Sequence, residues 1–168
     1  MADTSTHIVK LYDSDKNLSD DLIKHFGSSK VSLAIATREN ISAFKKSLDG
    51  NYRENQIIFL DAVGTLSECM TGGKVDKKNF EKVIGKVLKN TGNGSSVKIY
   101  CEMVAILWAQ GKKDQAIKLE RLWNGLCKKY SFDLFCAQPI KSIDNKINHL
   151  SIRDINEIVE EHSNTFII

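Results

Sequence analysis

Residues 31–36 read VSLAIA, an almost continuous apolar run interrupted by one serine. Such a run is typical of a β-strand that is buried on both faces, as in a parallel sheet covered by helices on both sides. Thr37 follows the run and can cap a helix. That helix would bury Ile41, Phe44 and Leu48, which recur at helical spacing. The stretch therefore predicts a buried strand followed by an amphipathic helix, which is the repeating unit of an α/β domain.

The same alternation of short apolar runs and helix-period segments continues along the chain. The predicted strands cover residues 7–12, 31–36, 57–60, 97–101, 132–137 and 165–168. Helices are predicted after each of the first three strands, then over residues 77–90, 103–109 and 113–130, and from Ser151 onwards. The pattern predicts a three-layer α/β fold, with a mostly parallel sheet and helices on both of its faces.

Two of the predicted helices begin with recognisable capping signals. Asp76 is a candidate N-cap, and Val75 and Phe80 stand at the spacing of a hydrophobic staple around it. Ser151 can cap the last helix, with Asp154 at the capping-box position. These signals predict where the two helices begin.

Two other helices are predicted from their apolar residues alone. Val63, Leu66 and Met70 indicate a short helix after the third strand. Residues 103–109 are apolar on every side, so this helix should be buried all round.

The composition is that of one folded domain, with 42% hydrophobic and 27% charged residues in a chain of 168. We expect residues 1–6 to form a disordered tail and residues 7–168 to form a single domain. No apolar run approaches the roughly 18 residues that a membrane-spanning helix needs. The opening residues also lack the pattern of a signal peptide. We therefore expect a cytoplasmic protein with no membrane partner.

Charge and cysteine usage argue against nucleic-acid and zinc binding. The net charge is only +3, and 20 of the 24 basic residues are lysine, which is poorly suited to bidentate recognition of phosphates or guanines. The four cysteines, at 69, 101, 127 and 136, form no CxxC pair, and only four histidines accompany them. We expect small buried cysteines and neither a metal nor a cofactor.

Phosphate-binding motifs are missing from the places where this fold class would carry them. The turn after the first strand, residues 12–18, reads YDSDKNL and contains no glycine. A phosphate cradle needs glycine-rich backbone followed by Lys and then Ser or Thr. The GGK at residues 72–74 is followed by Val75 and is interpreted as a loop. ATP hydrolysis by the usual P-loop route is therefore not expected.

Ligands of open α/β sheets bind beyond the carboxyl ends of the strands. The candidate ligand-binding residues lie at or near those ends, with Trp108 as an apolar wall: Tyr12, Asp13, Asp15, Thr37, Asp61, Glu102 and Trp108. Helix capping is the alternative role for Asp13, Asp15 and Thr37. We predict that Tyr12, Asp13, Thr37, Asp61 and Glu102 line a cavity at this edge.

Glu102 is the most informative of these candidates because it separates a buried strand from an apolar helix. The carboxylate is either desolvated, with a raised pKa unless Arg38 or Lys98 reaches it, or a first-turn glutamate at a helix N-terminus. Gln138 also follows a strand at this edge. These alternatives make Glu102 the residue on which the predicted site depends.

Three further residues have two interpretations each. Glu120 lies at the edge of the inward stripe of its helix, as a surface residue or as a buried acceptor. His7 begins a strand and is interpreted first as structural and second as a ligand contact. Trp123, like Trp108, is either a core anchor or a pocket wall. No Ser-His-Asp, HExxH or Cys-His set is recognisable, so we predict no catalytic residues and no enzyme activity.

Several segments, in order, resemble one known family. Residues 100–111, YCEMVAILWAQG, are similar to its GEMVALLW segment, 119–124, LERLWN, to its LE.LWN segment, and 135–139, FCAQP, to its CAYP strand end. Residues 7–12 resemble its opening H....Y segment, residues 31–37 its V..IAT strand, and the EHS at 161–163 its closing HS. The chain thus resembles the MEDS domain, the methanogen/methylotroph DcmR sensory domain. Cys101 and Gln138 stand where that family usually has Gly and Tyr.

The resemblance implies a RecA/KaiC-like fold that has lost its P-loop, and a role in signalling. Such domains occur with histidine kinases and transcription regulators and are proposed to sense small hydrocarbon derivatives. Our leading hypothesis is a non-catalytic sensory domain that binds a small organic ligand and signals through such a partner or through a homo-oligomer. The alternatives are a nucleotide-binding protein without hydrolysis and a ligand-free interaction scaffold.

Overall fold

The computed structural model describes residues 5–12, 15–27, 31–48, 57–91, 97–139 and 152–167. Within these ranges the strands are β1 (His7–Tyr12), β2 (Val31–Ala36), β3 (Ile57–Asp61), β4 (Met70–Thr71), β5 (Lys74–Val75), β6 (Val97–Cys101), β7 (Phe132–Pro139) and β8 (Asn164–Ile167). All but β4 and β5 form one sheet, in the order β3-β2-β6-β7-β1-β8. Every neighbouring pair in that sheet is parallel.

Helices cover both faces of the sheet, which confirms the predicted three-layer α/β fold. One face carries α1 (Asp15–Phe26) and α2 (Arg38–Leu48). The other carries α3 (Ala62–Glu68), α4 (Lys77–Asn90), α5 (Met103–Ala109), α6 (Lys113–Tyr130) and α7 (Ile152–Glu160). No helix within the described ranges is long and apolar enough to cross a lipid bilayer.

The central strands are buried on both sides because successive side chains enter two different cores. Ile99 and Cys101 of β6 face the larger core, which α3 to α7 cover. Tyr100, between them, faces the smaller core under α1 and α2. This alternation explains why the VSLAIA run of β2 contains hydrophobic residues at nearly every position.

The predicted start of α4 is confirmed in detail. Asp76 accepts a hydrogen bond from the backbone N–H of Asn79 at 2.8 Å, as an N-cap should. Val75 and Phe80, the predicted staple, are both fully buried. The GGK segment is the tip of a β4–β5 hairpin, in which Gly72 and Gly73 adopt positive φ values of 57° and 76°. A two-residue turn of this kind favours glycine, so these glycines shape a hairpin and not a phosphate site.

Some boundaries differ from the predictions. Val63, one of the three apolar residues that indicated α3, lies in that helix but is 58% exposed, and Met70 belongs to β4 because α3 ends at Glu68. The α5 helix is buried over most of its surface, but Ala109 at its end is exposed. Asp154 forms an ion pair with Lys113 of α6. Its predicted capping partner Ser151 lies outside the described residues, as do residues 140–150.

Residues 5 and 6, which belong to the predicted disordered tail, make hydrogen bonds with the rest of the domain. Thr6, assigned to a disordered segment by its sequence position, donates from its backbone N–H and its hydroxyl to Asp133 Oδ1, at 3.0 and 2.8 Å. The Ser5 hydroxyl donates to the carbonyl of Cys127 at 3.2 Å. Residues 5 and 6 are therefore ordered by contacts with the β7 and α6 segments, while residues 1–4 lie outside the described chain.

Candidate functional site

Glu102 follows β6 at the carboxyl edge of the sheet, and its carboxylate is buried. The Tyr100 hydroxyl donates to Oε1 at 2.5 Å and the Thr37 backbone N–H donates to Oε2 at 2.6 Å. The side-chain amide of Asn40 also donates to Oε1. Burial raises the pKa of Glu102, and these hydrogen bonds oppose that effect. Glu102 is therefore the desolvated carboxylate with a raised pKa of our first alternative, and its donors are Tyr100, Thr37 and Asn40.

Backbone bonds explain why Glu102 reaches the start of α2. The Glu102 N–H donates to the carbonyl of Ile35 at 2.9 Å, which joins the end of β6 to the end of β2. The chain then turns at Thr37, whose hydroxyl accepts from the Asn40 N–H at 3.4 Å. Thr37 thus caps α2, as one of our two interpretations had it, while its own N–H is held by Glu102.

Asp61 lies beside this turn, because it pairs with Ala36 in the β2–β3 register. Its side chain caps α3 by accepting from the Gly64 N–H at 3.1 Å. Arg38 Nε lies 3.8 Å from Asp61 Oδ2, but the Arg38 side chain is 87% exposed. An exposed ion pair at this distance contributes little to stability, so the main role of Asp61 is to cap α3.

The other residues predicted to bind the ligand are Tyr12, Asp13, Asp15 and Trp108. Tyr12 ends β1 half-buried, and it is near enough to Tyr100 to raise the pKa of that hydroxyl slightly, after the larger effects of burial and Glu102. Asp13 and the side chain of Asp15 lie outside the described residues. Trp108 packs into the larger core, whereas the donors around Glu102 belong to the opposite side of the sheet. Trp108 is therefore not a wall of this site, and the predicted cavity stays a prediction.

Gln138 adds a polar group to the same edge, at the end of β7. Its side chain is 3% exposed, and its Nε2 has no hydrogen-bond partner among the described residues. A buried amide donor without a partner is costly, by about 1–3 kcal/mol. Gln138 is thus an unsatisfied donor, but its pairing with Leu11 and its alternation with Cys136 put its side chain on the larger-core side of the sheet, away from the donors to Glu102.

A second cluster of polar side chains lies inside the larger core. His7 Nε2 is 3.1 Å from Glu120 Oε2, and His162 Nε2 is 3.2 Å from Glu120 Oε1. Cys136 Sγ lies 3.4 Å from His7 Nε2. All four side chains are buried. Within the described part of the chain, they are the group of residues whose ligand atoms converge closely enough to hold a metal ion.

His7 and His162 favour the ionised form of Glu120. Burial alone would raise the Glu120 pKa, but the adjacent rings of His162 and His7 lower it overall. Burial alone would lower the His162 pKa, but Glu120 and the Ile158 carbonyl raise it overall. Positive charge between these groups is therefore favoured.

Sequence reasoning found only parts of this cluster. Of the two interpretations of Glu120, the structure supports a buried acceptor. The sequence suggests a structural role for His7 first and a ligand contact second. His162 was noted only as part of the EHS resemblance, and Cys136 as a buried apolar residue. No motif spacing could have identified the four together, because they come from β1, α6, β7 and the segment after α7.

Comparison with known proteins supports the fold. No family model matches the chain, and no curated protein matches it. Among solved structures, the chain is similar to a prototypical ATPase from the type III secretion system of pathogenic bacteria, with a TM-score of 0.52 and 9% identity. The alignment covers 97% of this chain and 51% of that ATPase chain, so this chain spans about half of the ATPase. At this identity the likeness shows a shared α/β fold.

Proposed function

We propose that this protein is a non-catalytic sensory domain that binds a small organic ligand at the carboxyl edge of an ATPase-like α/β fold. Its partner would be a histidine kinase or a transcription regulator, as the resemblance to the MEDS domain suggests, with a homo-oligomer as the other route of output. The observation that carries the proposal is the buried Glu102, which connects the candidate site to the start of α2.

The bonding of Glu102 argues against ATP hydrolysis. In P-loop NTPases a carboxylate of the Walker B strand and a Ser or Thr of the phosphate loop hold Mg²⁺. Both oxygens of Glu102 already accept hydrogen bonds from protein donors. The turn over residues 12–18 also lacks the glycines that a phosphate cradle needs. Glu102 and this turn therefore do not supply the usual ligands of the metal ion and of the triphosphate.

The same bonding offers a route for a signal. Two of the Glu102 donors, the Thr37 N–H and the Asn40 amide, belong to the first turn of α2. A ligand that competes for Glu102 would release this turn and shift α2. The outer face of α2 is exposed, so a partner protein could detect the shift.

Nucleotide binding without hydrolysis is the second candidate. The observation that favours it is the fold shared with the type III secretion ATPase. The two candidates differ in the ligand that should stabilise the protein, so one binding experiment separates them.

Glu102→Gln is the appropriate variant because the fold can accommodate it. A glutamine oxygen can accept from the Thr37 N–H, as Oε2 does. Its amide group would then face Tyr100 and Asn40, where the hydroxyl can turn to accept and the Asn40 amide can flip. The substitution removes the charge at nearly constant volume. Glu39→Gln, at an exposed position of α2, is the matched control.

The experiment is a thermal-shift titration with short-chain alcohols, haloalkanes and carboxylates on one side and MgATP and MgADP on the other. We expect an organic probe to raise the melting temperature of the wild type and of Glu39→Gln, and to act weakly on Glu102→Gln. Stabilisation by nucleotides alone, without phosphate release, would establish the second candidate instead. No response to either class would contradict ligand binding, and Mg²⁺-dependent ATP turnover would contradict the non-catalytic role.

A further inference from the structure

We propose that His7, Glu120, Cys136 and His162 bind one structural zinc ion inside the larger core. This site is separate from the carboxyl-edge site at Glu102. It joins β1, β7 and α6 to the segment between α7 and β8.

The separations between the ligand atoms fit a single tetrahedral ion. Zinc bonds of about 2.0–2.3 Å place neighbouring ligand atoms roughly 3.3–3.8 Å apart. His7 Nε2 is 3.1 Å from Glu120 Oε2 and 3.4 Å from Cys136 Sγ, and His162 Nε2 is 3.2 Å from the other carboxylate oxygen, Oε1. One ligand atom from each residue lies within 4.8 Å of all the others. The ligand atoms that are farthest apart must therefore approach each other by up to about 1 Å to surround one ion.

Outer hydrogen bonds orient both imidazole rings as metal ligands require. His7 Nδ1 is 2.7 Å from Asn124 Oδ1, and the Asn124 amide donates to the Glu161 carbonyl at 3.0 Å. That second bond fixes the orientation of the Asn124 amide, so its oxygen faces His7. His162 Nδ1 is 2.5 Å from the carbonyl of Ile158. Each Nδ1 thus carries a proton and donates it, which leaves each Nε2 to face the cluster.

This arrangement requires positive charge at the centre of the cluster. In neutral histidines with protonated Nδ1, each Nε2 presents a lone pair, and both lone pairs face the oxygens of Glu120. Among the described residues, the buried His162 Nε2 and Glu120 Oε2 have no hydrogen-bond partner of acceptable geometry. Lone pairs facing lone pairs repel, so either protons or one shared cation must lie between them.

Charge balance and ligand type favour a zinc ion. One Zn²⁺ with the Glu120 carboxylate, the Cys136 thiolate and two neutral imidazoles forms a site with no net charge. A neutral site is the arrangement that costs least in a buried core. Thiolate and imidazole ligands select zinc or a similar transition metal over Mg²⁺ and Ca²⁺.

The burial of all four ligands indicates a structural and not a catalytic ion. Catalytic zinc sites keep one position open for water or substrate, whereas structural sites have four protein ligands. The Ser163 N–H donates to the His7 carbonyl at 2.7 Å, so the segment that carries His162 is already tied to β1. The ion would fasten the last helix and strand to the rest of the sheet.

The test begins with the wild-type chain. We expect about one equivalent of zinc per chain by elemental analysis, and a lower melting temperature after chelation that added Zn²⁺ restores. Cobalt added to the apoprotein should give the intense visible bands of a tetrahedral site and a near-ultraviolet thiolate-to-cobalt band. A folded wild type that binds neither ion stoichiometrically would overturn the proposal and favour the proton-only arrangement.

Variants then assign the ligands. His162→Gln should weaken metal binding by roughly a hundredfold or more, and Cys136→Ala should abolish the thiolate band. His25→Gln and Cys127→Ala, which change a histidine and a cysteine outside the cluster, should leave metal binding unchanged. Asn124→Ala should weaken binding by about 10–100-fold because it releases the His7 ring. If a ligand variant fails to fold, the cobalt spectrum of the wild type still decides whether thiolate coordination exists.

Discussion

Replacement of Trp123 by alanine should severely destabilise the protein. Trp123 is fully buried in the larger core, and its ring makes edge-to-face contacts with Phe80 and Phe132, at centroid distances of 5.1 and 6.0 Å. These contacts connect α6 to α4 and to β7. Removing a buried tryptophan costs about 3–5 kcal/mol, from lost transfer energy and from the cavity left behind. For a chain of this size the melting temperature should fall by roughly 6–20 °C.

A second variant separates packing from polar effects at the same position. The Trp123 Nε1 is buried and has no hydrogen-bond partner among the described residues. Trp123→Phe removes this unsatisfied donor while it keeps much of the aromatic volume. We therefore expect it to cost less than Trp123→Ala by about 2 kcal/mol or more.

Urea unfolding followed by circular dichroism measures both effects. Lys118→Ala, an exposed position on the same helix, is the control and should change the free energy of unfolding by about 0.5 kcal/mol or less. A loss of under about 1 kcal/mol for Trp123→Ala would show that α6 does not pack on the sheet through this residue.

Two further predictions concern pH and helix capping. Burial, and then the charge of Lys98, lower the pKa of His25 from 6.5 to about 4. The unfolded chain therefore takes up this proton first, and His25 should make the free energy of unfolding fall by about 2 kcal/mol between pH 7 and pH 5. His25→Gln should remove that part of the pH dependence in urea titrations, and an unchanged slope would refute the assignment. Asp76→Ala should destabilise the protein by about 1 kcal/mol through loss of the α4 cap, whereas Asp76→Asn should stay close to the wild type. Equal unfolding midpoints for the two variants would contradict the capping role.

The sequence predicted the fold class because the information that determines it is local. The run over residues 31–36 requires burial on both faces, and only a sheet covered by two helical layers provides that. The Asp76 cap could also be predicted, since a cap and its N–H donor are three residues apart. The error at Met70 arose where a short helix is followed by a hairpin within a few residues. In that range hydrophobic spacing cannot distinguish the two structures.

The candidate site at the sheet edge could be predicted only in part. Strand ends identified Thr37, Asp61 and Glu102 as neighbours, because parallel strands end on the same side. The sequence could not reveal which donors reach Glu102, since Tyr100 and Asn40 approach it through the packing of α2 on the smaller core. Trp108 was assigned to the same site because it follows Glu102 in the chain, although α5 carries it to the other face.

The core cluster was decided by tertiary structure alone. His7 and Cys136 are 129 residues apart in the chain and meet because β1 pairs with β7 in parallel register. Glu120 joins them from α6, which precedes β7 in the chain, and His162 joins from the segment between α7 and β8, at the far end of the chain from β1. Periodicity determines which side of an element is buried, but only the order of strands and the docking of helices determine which buried polar groups share a site. The sequence therefore determined the layers of the fold, and the topology determined which polar side chains meet between those layers.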